Sequence, residues 1–293
     1  MAYPDYPFRG EHLQISARAR MHYLDEGPGD APAVMMLHGN PSWSFHYRHL
    51  IGALCDRYRC IVPDHIGMGL SDTPPDSDYA YTLESRVKDI EHLYQHLGAP
   101  APLDLVVHDW GGMIGCAWAV RHPERIRRLV VLNTAAFPLP ETKTMPWQLH
   151  LSRLPMLGGL LVRGCNGFCR YANRHCTTTG FSREVAKAYL APYSSWHERL
   201  AVHRFVQDIP LSPTHPTWEL VTDTAQQLDK LADKKMLIGW GLQDFVFDEQ
   251  FLKRWRQRFP SAETAIFDKA GHYVLEDARE RLLPRIGAFL DEP

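Results

Sequence analysis

Short runs of apolar residues alternate along the chain with longer segments in which apolar residues recur at helical spacing. The short runs are typical of strands that are buried on both faces of a parallel sheet. They predict strands at residues 33–37, 59–63, 103–107, 129–132, 235–239 and 263–267. The segments between them predict helices at residues 82–97, 111–121, 249–259 and about 278–290. Strands that alternate with helices predict an α/β fold with a mostly parallel sheet flanked by helices.

Two stretches depart from this alternation. Residues 12–24 alternate polar and apolar side chains and precede the turn sequence DEGPGD, which predicts an antiparallel hairpin. Residues 138–215 carry no strand signal and are rich in Leu, Trp, Phe, Arg and Pro, which indicates an inserted helical cap. The predicted organisation is a core domain of residues 1–137 and 216–293 and a helical cap domain of residues 138–215.

The charge balance narrows the range of partners. Lys plus Arg number 32 and Asp plus Glu number 34, for a net charge of −2. This balance gives no electrostatic reason to expect nucleic acid or an anionic membrane as a partner. The N-terminal residues have neither the basic nor the apolar region of a signal peptide, and no apolar run is long enough to span a bilayer.

The number and spacing of the cysteines bear on the cellular compartment of the protein and on whether it binds a metal ion. Six cysteines without a secretory signal are expected to be reduced thiols in a cytoplasmic protein. Cys165, Cys169, His175 and Cys176 lie close together in the sequence, but their spacing matches no standard zinc pattern. We therefore predict no metal and no cofactor.

Polar residues follow four of the predicted strands, at the sheet edge where catalytic residues of such folds lie. The four loop sequences are HGNP at 38–41, HDWGG at 108–112, GLQD at 241–244 and GHY at 271–273. They supply an acid, a second acid and a histidine, in the chain order of nucleophile, acid and base that is typical of α/β-hydrolases.

Asp109 occupies the turn between a strand and a helix where a serine hydrolase carries its serine, and the chain contains no Gly-x-Ser-x-Gly. Gly111 and Gly112 allow close helix packing and free the first N–H groups of the helix, which favour an anion at this turn. An aspartate here is also a common helix N-cap. Together with the other three loops, the pattern favours Asp109 as a catalytic nucleophile.

His272 and Asp244 complete a candidate triad. His272 follows a strand and a glycine, which leaves its ring free to point at the nucleophile, and its position distinguishes it from the other histidines among the 16 in the chain. Asp244 is placed to hold one ring nitrogen while the other activates water. The alternative for Asp244 is a loop-capping residue.

Asn40 and Trp110 each lie directly beside a catalytic turn. An amide and an indole N–H are donors that can converge on one anion, such as a leaving halide or a carboxylate oxygen. The backbone N–H groups of the same two residues are candidates for an oxyanion hole. A tryptophan is otherwise most often a packing residue.

Five segments carry a resemblance to a known family: HGNPSWSFHYR (38–48), VPDHIGMGLSD (62–72), VHDWGG (107–112), Asp244 and GHYVLED (271–277). Together they resemble the haloalkane dehalogenases, which have the α/β-hydrolase fold, over nearly the whole chain. One branch of that family places its acid after the preceding strand, where this chain has Asn133. The pattern is most similar to the third subfamily, which is close to the bacterial β-lactone decarboxylases of olefin biosynthesis.

The resemblance implies Asp109 as nucleophile, His272 as base, Asp244 as acid, and Asn40 with Trp110 as halide-binding donors. The expected activity is hydrolysis of a haloalkane to an alcohol and a halide ion through an aspartyl ester, on a small apolar substrate and without a cofactor. The resemblance also implies self-association, for which the apolar stretch 154–162 is the candidate surface, although the same stretch has the composition of an active-site cover.

Three alternatives stay open. A β-lactone decarboxylase would use the same residues to release an alkene and carbon dioxide, with long alkyl chains in an apolar cap tunnel. Candidate residues for that tunnel, which could equally pack the core of the cap, are Leu154, Leu157, Leu160, Leu161, Phe168 and Phe205. An epoxide hydrolase would need two of the cap tyrosines Tyr171, Tyr189 and Tyr193 at the substrate. A protein that only binds a small ligand would have no use for all three members of the triad.

Overall fold

The computed structural model describes residues 3–141, 143–154 and 156–292, and an eight-stranded sheet lies at its centre. The strands are β1 Glu11–Ser16, β2 Ala19–Glu26, β3 Ala33–Leu37, β4 Arg59–Pro63, β5 Leu103–Asp109, β6 Ile126–Thr134, β7 Lys235–Gly241 and β8 Glu263–Phe267. Their order in the sheet is β1-β2-β4-β3-β5-β6-β7-β8. The pairs β1–β2 and β2–β4 are antiparallel and the other neighbours are parallel. The prediction of a mostly parallel sheet is confirmed.

Three central strands are longer than predicted, and the residues added at their C-terminal ends include polar ones. Strands β5, β6 and β7 each continue past the apolar run that predicted them. Among the added residues, His108 and Asn133 are fully buried although their side chains are polar. A prediction from apolar runs stops at such residues, and these are the positions from which the sheet presents its functional groups.

The α-helices flank the sheet on both faces. They are α1 Arg48–Leu54, α2 Leu83–Leu97, α3 Trp110–Arg121, α4 Trp147–Arg153, α5 Leu157–Gly159, α6 Gly167–His175, α7 Arg183–Leu190, α8 Leu200–Gln207, α9 Trp218–Gln227, α10 Glu249–Arg258, α11 Val274–Asp277 and α12 Arg279–Asp291. Met35 packs in the apolar cluster that includes α2 and α3, whereas Met36 packs in the cluster that includes α1 and α12. Neighbouring residues of β3 therefore face two separate helical layers.

Helix α2 illustrates how local chemistry sets the bounds of an element. Its N-cap Thr82 accepts a hydrogen bond from the backbone N–H of Ser85 at 3.3 Å, and Gly98 ends the helix with a φ of 53°. A residue without a Cβ adopts this left-handed conformation at little cost. Helices α1, α9 and α11 have no counterpart among the predicted helices.

The segment between β6 and the last two strands is helical. Helices α4 to α8 lie here, and a π-helical turn, Leu160–Gly164, follows α5. Among its described residues, positions 138–215 include no strand, as predicted. The division into a core and a cap domain at residues 138 and 215 stays a prediction.

Candidate active site

Asp109 lies at the point where β5 turns into α3, with a φ of 51°. This conformation is strained for a residue with a side chain, and such strain is concentrated at functional sites. The carboxylate does not cap α3. Its Oδ1 instead accepts a hydrogen bond from the backbone N–H of Asn40 at 2.6 Å. The N-cap alternative for Asp109 therefore has no support in the structure.

Two glycines allow the chain to pass close to this turn. A Cβ at Gly39 would overlap the Asp109 side chain, and a Cβ at Gly111 would overlap the carbonyl oxygen of Leu37. The tight packing predicted for Gly111 is therefore present. Gly39 allows the loop after β3 to approach the carboxylate itself.

His272 lies between the two carboxylates, as the sequence predicts. Its Nε2 is 3.5 Å from Oδ2 of Asp109, and its Nδ1 is 2.8 Å from Oδ2 of Asp244. The exposed fraction of each of the three residues is below a tenth. This arrangement has the geometry of a nucleophile, base and acid held in line.

Asp244 also caps its own loop, as in its alternative interpretation, and has one further partner, Asn133, that sequence analysis missed. Its Oδ1 accepts hydrogen bonds from the N–H groups of Val246 and Phe247 at 2.7 and 3.1 Å. Its Oδ2 also accepts one from Nδ2 of Asn133 at 2.9 Å. The only sequence signal that Asn133 holds Asp244 is its position, since it is a polar amide directly after the apolar run 129–132.

Burial and charge shift the titration of the nucleophile and the base. Burial raises the pKa of the Asp109 carboxyl above its ordinary value, while His272 and the N–H groups of Asn40 and Trp110 oppose that rise. Burial by itself would lower the pKa of His272, but the carboxylates of Asp244 and Asp109 outweigh it and the pKa is raised above 6.5. The two carboxylates therefore favour a protonated His272, and that charge in turn favours the Asp109 anion.

Asn40 and Trp110 line the same cavity as Asp109 and His272. Nδ2 of Asn40 donates one hydrogen bond to the backbone carbonyl of Val202 in α8, at 3.1 Å. This contact fixes the orientation of the amide and uses one of its two N–H groups. No hydrogen bond joins the Trp110 indole to any described residue, so both side chains keep an N–H for a ligand.

The cavity has a volume of about 290 Å³ and a mostly apolar wall. Of the six cap residues considered for a tunnel, Leu161 and Phe168 contribute to this wall. Phe205 is buried against Trp110 instead, with 5.3 Å between ring centroids. Trp147 lines the cavity and is 66% exposed, so the cavity approaches the surface beside it.

The three cap tyrosines do not form a pair at the nucleophile. Only Tyr171 is among the described residues that line the cavity, and its hydroxyl accepts a hydrogen bond from Gln148 at 2.7 Å. The Tyr189 hydroxyl donates to Glu276 at 2.6 Å, and the Tyr193 hydroxyl donates to the carbonyl of Ser42 at 3.3 Å. The structure therefore gives no support to the epoxide-hydrolase alternative.

Apolar side chains are exposed among the described residues of the stretch 154–162. Leu154, Leu157 and Leu160 are each between 43% and 56% exposed, and Met156 is 91% exposed. They do not line the cavity. Self-association through this stretch stays a prediction.

Within the described residues, no three or more His, Cys, Asp or Glu side chains form a group that could hold a metal ion. None of the helices in the described parts of the chain is long and apolar enough to cross a membrane.

Comparison with known proteins places the chain in a family. Residues 32–278 match the model of the alpha/beta hydrolase fold. The chain is 50% identical to a cis-3-alkyl-4-alkyloxetan-2-one decarboxylase of Xanthomonas campestris pv. campestris, over 99% of each protein. It is 49% identical to a decarboxylase of the same name from Shewanella oneidensis, over 98% of this chain and 89% of that protein.

Haloalkane dehalogenases are also similar to the chain, but at lower identity. Haloalkane dehalogenase 2 of Mycobacterium bovis is 31% identical over 96% of this chain and 94% of that protein. Among solved structures, the haloalkane dehalogenase DatA of Agrobacterium tumefaciens has a TM-score of 0.85 at 22% identity, with 96% of each chain covered. The structural likeness establishes the fold, and the sequence identities favour the β-lactone alternative over the dehalogenase prediction.

Proposed function

The chain belongs to the α/β-hydrolase family, in its group of haloalkane dehalogenases and β-lactone decarboxylases, and we propose that it converts cis-3,4-dialkyl β-lactones to alkenes and carbon dioxide. The observation that carries this proposal is the identity of 50% and 49% to two decarboxylases along almost the whole chain, against 31% to a dehalogenase. Hydrolytic dehalogenation is the second candidate, because the same residues can perform it.

In the proposed first step, the Asp109 carboxylate attacks the β-carbon of the lactone, which bears the ring oxygen. The new bond joins a carboxylate oxygen to that carbon, and the carbon–ring oxygen bond breaks. The ring oxygen keeps the bonding pair and becomes part of a substrate carboxylate. Oδ1 of Asp109 is held by the Asn40 N–H, so Oδ2 is the proposed attacking atom.

The negative charge that develops on the ring oxygen needs donors at the cavity wall. We assign this role to the side-chain N–H groups of Asn40 and Trp110, which line the cavity with Asp109. Donors that are fixed before the reaction stabilise developing charge without reorganisation, and each contributes about 2.7–4 kcal/mol in typical enzymes. A leaving carboxylate and a leaving halide are both anions, and either one can accept hydrogen bonds from these two N–H groups.

In the proposed second step, the bond between the α-carbon and the carboxyl carbon breaks. Its electron pair forms the carbon–carbon double bond, and the bond from the β-carbon to Asp109 breaks and returns the carboxylate. One lactone gives one alkene and one carbon dioxide, and no water or proton is consumed. Inversion in the first step followed by anti elimination keeps the two alkyl groups cis.

The proposal assigns a supporting role to His272 and Asp244. The charge of His272 opposes the rise that burial causes in the pKa of Asp109, which favours the ionised form of the nucleophile. In the second candidate reaction, His272 would also activate water to hydrolyse the alkyl ester. The two reactions therefore differ in whether the base acts on water.

The test is to incubate the purified protein separately with a cis-3,4-dialkyl β-lactone and with 1-bromobutane or 1,2-dibromoethane. Alkene is followed by gas chromatography and bromide by ion chromatography. We expect rapid cis-alkene formation with little bromide, and loss of alkene formation in Asp109→Ala. The matched control is Asp268→Ala, since Asp268 is an exposed aspartate in the loop that follows β8.

Rapid bromide release with little alkene would overturn the proposal in favour of dehalogenation. Full activity of Asp109→Ala on both substrate classes would overturn the assignment of the nucleophile itself. Circular dichroism of both variants establishes that they are folded.

A further inference from the structure

Helix α8 contacts both side chains that are assigned to the leaving carboxylate. The carbonyl of Val202 accepts a hydrogen bond from Nδ2 of Asn40 at 3.1 Å. The ring of Phe205 meets the indole of Trp110 edge to face, with 5.3 Å between centroids. The position of this one helix therefore bears on the orientation of both donors.

A buried ion pair joins the end of α8 to the core. Nη1 of Arg86 in α2 donates to Oδ2 of Asp208, the residue that follows α8, at 2.7 Å. The Arg86 side chain is 1% exposed and that of Asp208 is 7% exposed. Nη2 of Arg86 donates to the carbonyl of Tyr81 at 3.0 Å, and Thr217 donates a hydrogen bond to Asp208. Both ends of the pair are thus held by further contacts.

The guanidinium also contacts the aromatic pair directly. Cζ of Arg86 is 3.6 Å from the centroid of the Phe205 ring and 5.5 Å from that of Trp110. A planar guanidinium packs well against aromatic faces, and a lysine in its place would not reproduce this contact. Arg86 therefore touches the side chain that packs against one donor while its ion pair holds the helix that contacts the other.

A contribution to stability does not by itself explain a pair of this kind. Removing two charges from water is expensive, and replacement of a buried ion pair by neutral residues is often without cost to stability. Nε of Arg86 is buried and has no hydrogen-bond partner among the described residues. In the observed geometry Arg86 contacts Phe205 and Asp208, but one of its N–H groups makes no hydrogen bond to the described residues.

We propose that Arg86 and Asp208 are positioning residues for the anion site. Through α8 they hold the amide of Asn40 and the indole of Trp110 at the place where the leaving carboxylate develops its charge. The inference rests on the proposed function of this site, but the anion site can be probed without turnover. Bromide is a suitable probe because both candidate reactions require the same donor pair to bind an anion.

The test compares Arg86→Met with the double variant Arg86→Met/Asp208→Asn. The single variant leaves a buried carboxylate without its partner and is expected to lose stability. The double variant removes both charges and keeps an acceptor for Thr217, so we expect it to fold. The control is Arg59→Met/Asp25→Asn, which neutralises a partly buried pair, 2.6 Å apart, that joins β4 to β2 and does not line the cavity.

Two measurements are made on each folded variant. Bromide affinity is measured by quenching of tryptophan fluorescence, with Trp110→Phe as the blank, and kcat and KM are measured for alkene formation. In the double variant we expect bromide affinity to fall about tenfold and kcat to fall about tenfold to a hundredfold, as for a misplacement of donors by about 1 Å, with KM changed less than kcat. The control pair should change neither quantity.

Wild-type bromide affinity and wild-type kcat in the folded double variant would overturn the proposal. Equal losses in the double variant and in the control pair would also overturn it, because the effect would then be one of general stability. If the wild-type protein forms no alkene, the proposed function fails, while the bromide measurement still decides whether Arg86 and Asp208 position the anion site.

Discussion

Nδ2 of Asn133 lies 2.9 Å from Oδ2 of Asp244, the same oxygen that meets Nδ1 of His272 at 2.8 Å. One branch of the dehalogenases places its acid after the strand that carries Asn133 here. In this chain that strand instead supplies an amide that holds the acid of the next strand. Asn133 also exchanges two hydrogen bonds with the backbone of Gly241, at 3.0 and 2.8 Å, which joins the ends of β6 and β7.

Replacement of Asn133 by alanine should destabilise the protein by more than one hydrogen bond is worth. The variant leaves buried groups of Gly241 unpaired and removes a donor to Asp244, at about 1–3 kcal/mol for each buried group. Urea unfolding should therefore give a loss of several kcal/mol for Asn133→Ala. Asn173→Ala is the control, because Nδ2 of Asn173 donates to one partly buried carbonyl, that of Ala186. An equal loss in the two variants would contradict this account.

The carboxyl oxygens of Asp109 should stay unexchanged during alkene formation. The proposed second step breaks the bond between the substrate carbon and the Asp109 oxygen, and water never attacks the ester. Hydrolytic dehalogenation instead places a water oxygen on Asp109. The measurement is a reaction in heavy-oxygen water, followed by mass spectrometry of the peptide that contains Asp109. Label in that peptide after lactone turnover would contradict the proposed route.

Replacement of His272 by glutamine should separate the two candidate reactions. The lactone reaction consumes no water or proton, so we expect alkene formation to fall less than about tenfold, below the effect typical of a lost general base. With 1-bromobutane, the same variant should accumulate an alkylated protein that is visible by intact mass. Asp109→Ala should give neither product. A fall in alkene formation of about a thousandfold would instead give His272 a direct part in the chemistry.

The two reactions should also differ in their pH dependence. Asp109 is active as the anion, and burial raises its pKa, so alkene formation should fall with decreasing pH at a midpoint above the ordinary 3.8. Hydrolysis also needs neutral His272, whose pKa is raised by the carboxylates of Asp244 and Asp109, so the kcat of bromide turnover should depend on a second group that alkene formation does not need. Protein with an ionised Asp109 and a protonated His272 should form alkene but not hydrolyse the ester. Superimposable pH profiles of kcat for the two reactions would contradict this separation.

A methyl group at Gly39 should disable the site with little effect on the fold. The Cβ would overlap the Asp109 carboxylate, so Gly39→Ala should move the nucleophile and lower kcat about a hundredfold. The control is Gly52→Ala in α1, where the Cβ meets nothing within 4 Å. That change should leave activity intact and stabilise the protein by about 0.5–1 kcal/mol. Wild-type kcat in Gly39→Ala would argue against Asp109 as the reacting group.

The sequence predicts those site residues whose role depends on a position at the C-terminal end of a strand. Asp109, Asp244 and His272 each follow a strand, and parallel strands bring such positions to one edge, so their proximity could be anticipated. Arg86 could not be assigned in this way, because its partner Asp208 lies 122 residues away. A local signal existed, since Arg86 lies three residues after Leu83 on the apolar face of α2, and a charge on a buried face requires a partner.

The hydrogen bond from Asn40 to Val202 restricts which segments of related proteins can be combined into a functional chimera. A donor of the proposed anion site belongs to the loop that follows β3, whereas the carbonyl that orients it belongs to α8. A chimera that takes its insertion from a dehalogenase relative would keep the triad, but it would keep the donor geometry only if the new helix presents a carbonyl at the same place. We therefore expect the loop that carries Asn40 and the helix that carries Val202 to be exchanged successfully only together. We also expect a change of substrate class to require coordinated substitutions on both sides of this contact.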